Sequence, residues 1–196
     1  MKASRKTDYE LVEEFVAGSQ SGIEILIRRH KNRVFTYIML MVKNEQLAED
    51  IFQDTFIKII HSLKAGKYKD NGRFLSWVIR IAHNLVIDHF RKEKQMKMIS
   101  NDDTVVDIFN NKKLADKNIE DSIIYDQICT DIRSLIERLP DDQKEVILLR
   151  HYGDFSFKEI ADQTGVSINT ALGRMRYALI NLRKLIQKHD INLMVP

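Results

Sequence analysis

Asn169, Thr170, Leu172, Gly173, Arg174, Arg176 and Tyr177 follow a potential helix cap at Ser167 and fall on the outer sides of a helix whose inner face is Ala171, Met175, Ala178 and Leu182. From Gln163 to His189 there are 5 basic residues and no acidic one. Guanidinium, amide and hydroxyl groups on one cationic helix suit phosphates and base edges, with the side chains near the helix start placed for base contacts. A second cluster is the polar connection Lys64–Arg73, where Lys67, Lys69 and Arg73 alternate with Tyr68 and Asn71. Cations that follow a phosphate backbone, together with an aromatic ring that stacks, suit single-stranded nucleic acid; a solvated loop is the alternative. The helix after it carries Arg80, Asn84 and Arg91 on its one polar face, beside Ser76, His83 and Ile87. A third cluster, Glu49, Asp50, Gln53 and Asp54, is spaced i, i+1, i+4, i+5 and shares one helix face. It can dock on a basic surface or simply face solvent.

None of these clusters is catalytic. No HExxH, GxxxxGK[ST] or Ser/His/Asp arrangement is present, and the six histidines lack metal-ligand spacing. The one cysteine, Cys129, excludes an internal disulfide and a CxxC metal site, and its place on an amphipathic pattern suits a core position. No catalytic residue, cofactor, metal or small-molecule substrate is expected. No apolar run reaches the ~18–20 residues that span a bilayer, and the start Met1–Lys6 lacks the apolar core of a signal peptide. A cytoplasmic setting is the expectation.

The elements that must position these clusters are helical. Among 196 residues there are 2 prolines and 7 glycines, too few for a turn-rich strand protein. The net charge is only +3, but segments 64–100 (9 basic, 3 acidic) and 163–196 (5 basic, 1 acidic) are positive blocks, whereas 121–162 carries 5 basic and 10 acidic residues. Two anionic contacts and a different third partner fit that pattern. Apolar residues recur at helical spacing over 10–15, 23–42, 46–63 and 74–92. The last stripe, which includes Phe74, Val78, Ile81, Val86 and Phe90, is wide enough to sit centrally in a bundle, with Trp77 at its edge as a core residue. Polar sequence over 100–120 breaks the periodicity. The chain is therefore read as all-α, with a first domain over 1–95, a flexible linker over 96–120 and a second domain over 121–196.

In the second domain, Asp121–Leu139 is amphipathic, Pro140 ends it, Asp141 and Asp142 are candidate caps for the next helix, and His151–Asp154 reads as a connection. Ser156-Phe157-Lys158-Glu159 is a capping box, and Phe155 with Ile160 can form a hydrophobic staple. Ala161 permits a close helix crossing, Gly165 accepts positive φ at the turn, and Ser167 caps a second helix. These are the marks of a DNA-binding helix-turn-helix.

Taken together, the order and spacing of these segments resemble the bacterial sigma-70 family, in its small two-domain extracytoplasmic-function form. Ala48–Phe56 is similar to the family's polymerase-docking segment, Phe74–Lys92 to its −10 recognition helix, and Leu139–Arg150 with Ser156–Leu179 to its −35-binding domain. The resemblance implies a transcription initiation factor that docks on core RNA polymerase through Glu49, Asp50, Gln53 and Asp54. It implies that Lys67, Tyr68, Lys69, Asn71, Arg73, Arg80, Asn84 and Arg91 hold the melted −10 strand. It assigns duplex −35 contacts to Lys158, Ser167, Asn169, Thr170, Leu172, Gly173, Arg174, Arg176 and Tyr177. An anti-sigma protein is a further implied partner, and the linker is implied to thread the polymerase RNA-exit path. Ala171-Leu172-Gly173 departs from the pattern common among relatives, and Leu172 can touch a thymine methyl but cannot hydrogen-bond a base. The competing reading is a stand-alone helix-turn-helix regulator, which leaves the 64–92 basic block unexplained.

Overall fold

The computed structural model describes residues 6–69, 72–99 and 133–189. The first unit consists of α1 (Asp8–Val16), α2 (Gln20–Val42), α3 (Glu45–Lys64) and α4 (Phe74–Ile99). The second consists of α5 (residues 133–137 of the described part), α6 (Asp141–Gly153), α7 (Phe157–Thr164) and α8 (Ile168–Lys188). There is no strand among the described residues. The proposed linker falls largely outside them, as does Cys129, while α4 runs past residue 95 to Ile99.

Local chemistry sets the helix starts. Thr7 opens α1 with a capping box: its backbone N–H donates to Glu10 Oε2 at 2.6 Å, and its Oγ1 accepts from the Glu10 N–H at 3.3 Å. Asn44 caps α3 by accepting from the Leu47 N–H at 2.9 Å. α1 lies close against α2 at Gly22, where a Cβ would stand only 2.4 Å from the Leu11 carbonyl oxygen. Leu11, Leu26, Tyr37, Ile38, Ile59 and Phe74 form the fully buried centre of this unit.

Two sequence expectations in the second unit are corrected. Pro140, not an aspartate, occupies the N-cap of α6; Asp141 and Asp142 stand in its first turn, where carboxylates meet the positive end of the helix dipole. The helix also continues through His151 and Tyr152 to Gly153 and ends on Asp154 in the left-handed region at φ 55°.

The helix-turn-helix forms as the spacing predicts. Ser156 accepts from the Glu159 N–H while the Glu159 carboxylate accepts from the Ser156 N–H at 2.8 Å. Gly165 ends α7 at φ 67°, and Ser167 caps α8 by accepting from the Thr170 N–H at 3.1 Å. Ala161 and Ala171 are buried, which allows α7 and α8 to cross closely.

The apolar cores of the two units are continuous. The junction is Gly153, where a Cβ would meet the Phe155 ring at 2.6 Å and Ile79 of α4 at 3.1 Å. A buried Ser76 hydroxyl on α4 donates to the Gly153 carbonyl at 2.6 Å.

Candidate nucleic-acid interface

The outer face of α8 is open. Ser167, Asn169, Thr170, Leu172, Arg176 and Tyr177 are exposed, Tyr177 to 62%. Lys158 is exposed on α7. Gly173 has no atom within 4 Å of a built Cβ, so the helix surface there is shallow and unobstructed. Three predicted residues have structural partners. Arg174 turns towards α6 and pairs with Asp142 (Nε to Oδ2, 3.3 Å), and the Thr170 hydroxyl lies 2.9 Å from Ser167 Oγ within the cap.

On α3, Glu49, Asp50, Gln53 and Asp54 are all exposed, as their spacing predicts. Glu49 and Gln53 border an open groove whose other walls are Lys31, Asn32, Phe35 and Phe52. Half-buried apolar rings beside carboxylates give that surface both a greasy and a charged component.

The basic block around α4 is arranged differently. Lys67 and Lys69 are exposed, while Asn71 lies outside the described residues. Tyr68 is half-buried, its ring tilted against Trp77 at a centroid distance of 4.6 Å and edge-on to Phe74 at 5.7 Å. Trp77 is itself only half-buried, so it lies at the rim of the core. Phe90, expected inside, is 38% exposed at the far end of the helix. Arg91 pairs with Asp88 one turn earlier at 3.0 Å.

Part of the polar face of α4 meets the second unit, while Arg80, Asn84 and Arg91 stay exposed. Arg73 Nη1 donates to both Glu159 carboxylate oxygens at 2.6 Å, and its Nη2 donates to the Asp154 carbonyl at 2.6 Å. The Arg80 guanidinium lies 5.6 Å from the Phe155 ring centroid. Asn84 Oδ1 accepts from Gln163 Nε2 at 2.6 Å. From α2, Arg33 donates to the His151 carbonyl at 2.9 Å and to Asp154 Oδ2 at 3.1 Å. Ser76 and His83, expected on an exposed face, are buried because this contact covers them.

Beneath the contact lies a polar cluster that sequence spacing does not indicate. Tyr37 Oη and His83 Nδ1 are 2.7 Å apart, and His83 Nε2 lies 3.5 Å from Glu145 Oε1 on α6. Burial lowers the His83 pKa to about 4 and raises that of Glu145, while the Tyr37 phenol is pushed far up by burial and by the Glu145 charge. A neutral imidazole therefore accepts from the phenol and directs its N–H at the carboxylate. Glu159 behaves oppositely: burial raises its pKa, but the Ser156 and Arg73 hydrogen bonds outweigh this and hold it below the usual value. A second cluster missed by the spacing ties α1 to α2, with Asp8 bound to both Arg29 and His30, 21 and 22 residues away.

No group of three or more metal-ligating side chains exists among the described residues, and no described helix is long and apolar enough to cross a membrane.

Comparison with known proteins places these surfaces in a family. The Sigma-70 region 2 profile matches residues 26–96, covering most of α4 and the acidic face of α3, and the Sigma-70 region 4 profile matches residues 129–177, covering α7 and the first half of α8. Together they span more than half the chain. The chain is 28% identical over 183 residues to the RNA polymerase sigma factor CarQ of Myxococcus xanthus, covering 93% of this chain and 99% of CarQ. It is 25% identical over 179 residues to the ECF RNA polymerase sigma factor SigW of Bacillus subtilis, covering 90% and 95% of the two chains. Its fold is shared with CnrH, solved with the cytosolic domain of CnrY (TM-score 0.60, 21% identity, 93% of this chain and 99% of that one). It is also shared with RpoE of Bartonella quintana, solved with the anti-sigma factor NepR (TM-score 0.62, 18% identity, 84% and 96%). With both matched regions in the family's order and relatives aligned from end to end, the chain belongs to the sigma-70 family of transcription initiation factors, in its extracytoplasmic-function branch.

Proposed function

We propose that this sigma factor divides its work among the three surfaces described. The acidic face Glu49, Asp50, Gln53 and Asp54 docks on a basic surface of core RNA polymerase. The α4 face, with Lys67, Tyr68, Lys69, Asn71, Arg73, Arg80, Asn84 and Arg91, holds the separated −10 strand. The α8 face reads the duplex −35 element, with Ser167, Asn169, Thr170, Leu172, Arg176 and Tyr177 facing the groove and Lys158 on backbone phosphate. Arg174, bound to Asp142, contributes chiefly by holding α8 on α6. The protein binds and melts DNA and performs no catalysis of its own. It works in the cytoplasm, and an anti-sigma protein is proposed as its negative partner, as NepR is the solved partner of the Bartonella relative.

The observation that carries this reading is the pair of separate basic faces, one on α4 and one on α8, in a chain that also exposes an acidic helix face. A stand-alone regulator needs only the α8 face. Run-off transcription with purified core polymerase on the chain's own upstream DNA tests the proposal. A promoter-dependent transcript and co-elution with core are expected; the absence of both, with tight duplex binding retained, overturns it in favour of the stand-alone regulator.

A further inference from the structure

Three titratable groups that the binding surfaces leave unused meet where the two units join. Tyr37 comes from α2, His83 from α4 and Glu145 from α6. Tyr37 is fully buried and His83 is 2% exposed. The Tyr37 hydroxyl lies 2.7 Å from His83 Nδ1, and His83 Nε2 lies 3.5 Å from Glu145 Oε1. The imidazole thus has one nitrogen turned to the first unit and the other to the second.

The site is built for a neutral ring. A neutral imidazole has one acceptor and one donor, which the phenol and the carboxylate match in turn. The phenol keeps its proton, because burial and the Glu145 charge push its pKa far up. A protonated ring has two donors, and its second N–H meets a hydroxyl that is already donating, away from water. The surrounding charges are engaged elsewhere. On α4, Asp88 is held by Arg91. On α6, Asp141 is held by Lys144, and Asp142 by Arg174 of α8. From α7 the crevice beside the ring receives only the uncharged Gln163 and Thr164. Glu145 is the one carboxylate that faces the ring, and burial outweighs it: the His83 pKa is lowered to about 4.

We propose that His83 is a proton sensor for the junction: parting the units opens the ring to water, where it binds a proton, so acid shifts the chain towards the parted form. Above pH 6.5 the ring is neutral in both forms and the junction is unaffected. As the pH falls from 6.5 towards 4, only the parted form gains the proton, and each unit of pH weakens the junction by up to about tenfold. Glu145 softens the response, because its pKa is raised in the junction and parting releases its proton. Glu159, which fastens Arg73, has a lowered pKa, so its bond is lost only below the ordinary carboxylate range. The response between pH 7.5 and 5.5 therefore belongs to His83. For core polymerase, the consequence is easier engagement of the chain in acid; this consequence, unlike the proton linkage, rests on the sigma-factor reading.

The test uses the full chain with Cys129→Ser and dye labels at Glu24→Cys and Lys184→Cys, two exposed positions on α2 and α8. Distance distributions are recorded at pH 7.5 and 5.5, with helical circular dichroism confirming the fold at both. The parent should gain a long-distance population several-fold between the two. His83→Gln cannot titrate, yet its amide accepts from the phenol and donates to Glu145, so it should keep the same distribution at both pH values; the other five histidines are intact in it. Tyr37→Phe removes the donor that favours the neutral ring and should part at higher pH. Glu145→Gln removes the opposing group and should enlarge the acid response. A parent that does not respond, or a His83→Gln chain that parts in acid as the parent does, overturns the proposal. If His83→Gln is parted at both pH values, Tyr37→Phe and Glu145→Gln decide, and a transition that neither moves overturns it. Co-elution with core polymerase should reach half-saturation at several-fold lower concentration at pH 5.5 than at 7.5 in the parent, relative to His83→Gln. If the distances respond as expected and core is bound at neither pH, the proton linkage stands and the sigma-factor reading falls.

Discussion

Glu159 serves Arg73 and Ser156 at once. The carboxylate that closes the Ser156 capping box, accepting its backbone N–H at 2.8 Å, also receives both Nη1 hydrogen bonds of Arg73 from the other unit. One side chain thereby starts the helix-turn-helix and fastens it to α4. Glu159→Ala should lose both functions and cost about 1–2 kcal/mol in urea unfolding. Glu159→Gln keeps the cap and should cost clearly less. Equal losses in the two variants would show that the cap contributes little.

Asp50 and Asp54 are exposed and contribute nothing to the core. Charge reversal at both positions should leave the melting temperature within a few degrees of the parent and weaken co-elution with core polymerase at least tenfold. Unchanged co-elution removes α3 from the proposed docking surface.

Arg174 and Arg176 are two residues apart but differently engaged. Arg176 is exposed, whereas Arg174 is bound to Asp142. Arg176→Ala should weaken binding to a −35 duplex by ~1–3 kcal/mol if it touches a base, or weaken binding across sequences and lower the salt slope by about one if it touches phosphate. Arg174→Ala should act on stability first. Gel-shift titration at several salt concentrations, with unfolding curves alongside, separates these effects.

The buried pair His83 and Glu145 makes opposite contributions to acid stability. The His83 pKa falls on folding from 6.5 to about 4. The unfolded state therefore takes up its proton first, and this contribution to stability is lost as the pH falls from 6.5 towards 4. The Glu145 pKa rises on folding, so its contribution increases as the pH falls and opposes the loss. Glu145→Gln should remove the opposition. Between pH 7 and 4.5 this variant should lose more stability than the parent in urea unfolding. A shallower acid loss in the variant would contradict the assignment.

Gly22 has no room for a methyl group, with the Leu11 carbonyl oxygen 2.4 Å from where its Cβ would stand. Helix propensity favours Gly22→Ala by about 1 kcal/mol. The clash should reverse that sign, for a net loss of ~1–3 kcal/mol and partial detachment of α1. Thermal melting and limited proteolysis at residues 1–19 provide the measurements.

What could be read in advance was local. The Ser156 box, Gly165 and Ser167 lie within a dozen residues, and each is a bond or a dihedral that adjacent residues determine. Helix periods likewise placed α1 to α4 to within a few residues, except where α4 and α6 ran on past their expected ends. What could not be read was the pairing of distant groups. Arg73 and Glu159 are 86 residues apart, Asn84 and Gln163 79, and Arg33 and Asp154 121. No period or cap encodes such a match, and Arg73, Asn84 and Glu159 each had a local reading that said nothing of the partner. Ser76 and His83 were misplaced for the same reason: their helix face is polar in sequence because it meets a polar partner, not water.

The glycine junction has a consequence for how the molecule melts. Ile79, Gly153 and Phe155 make one apolar body of what two sequence regions supply, so heat should not release the halves independently. Calorimetry on the free protein should show a single endotherm whose van't Hoff and calorimetric enthalpies agree. A bulky residue at 153 should split it in two, turning one cooperative object into a pair of loosely tethered ones.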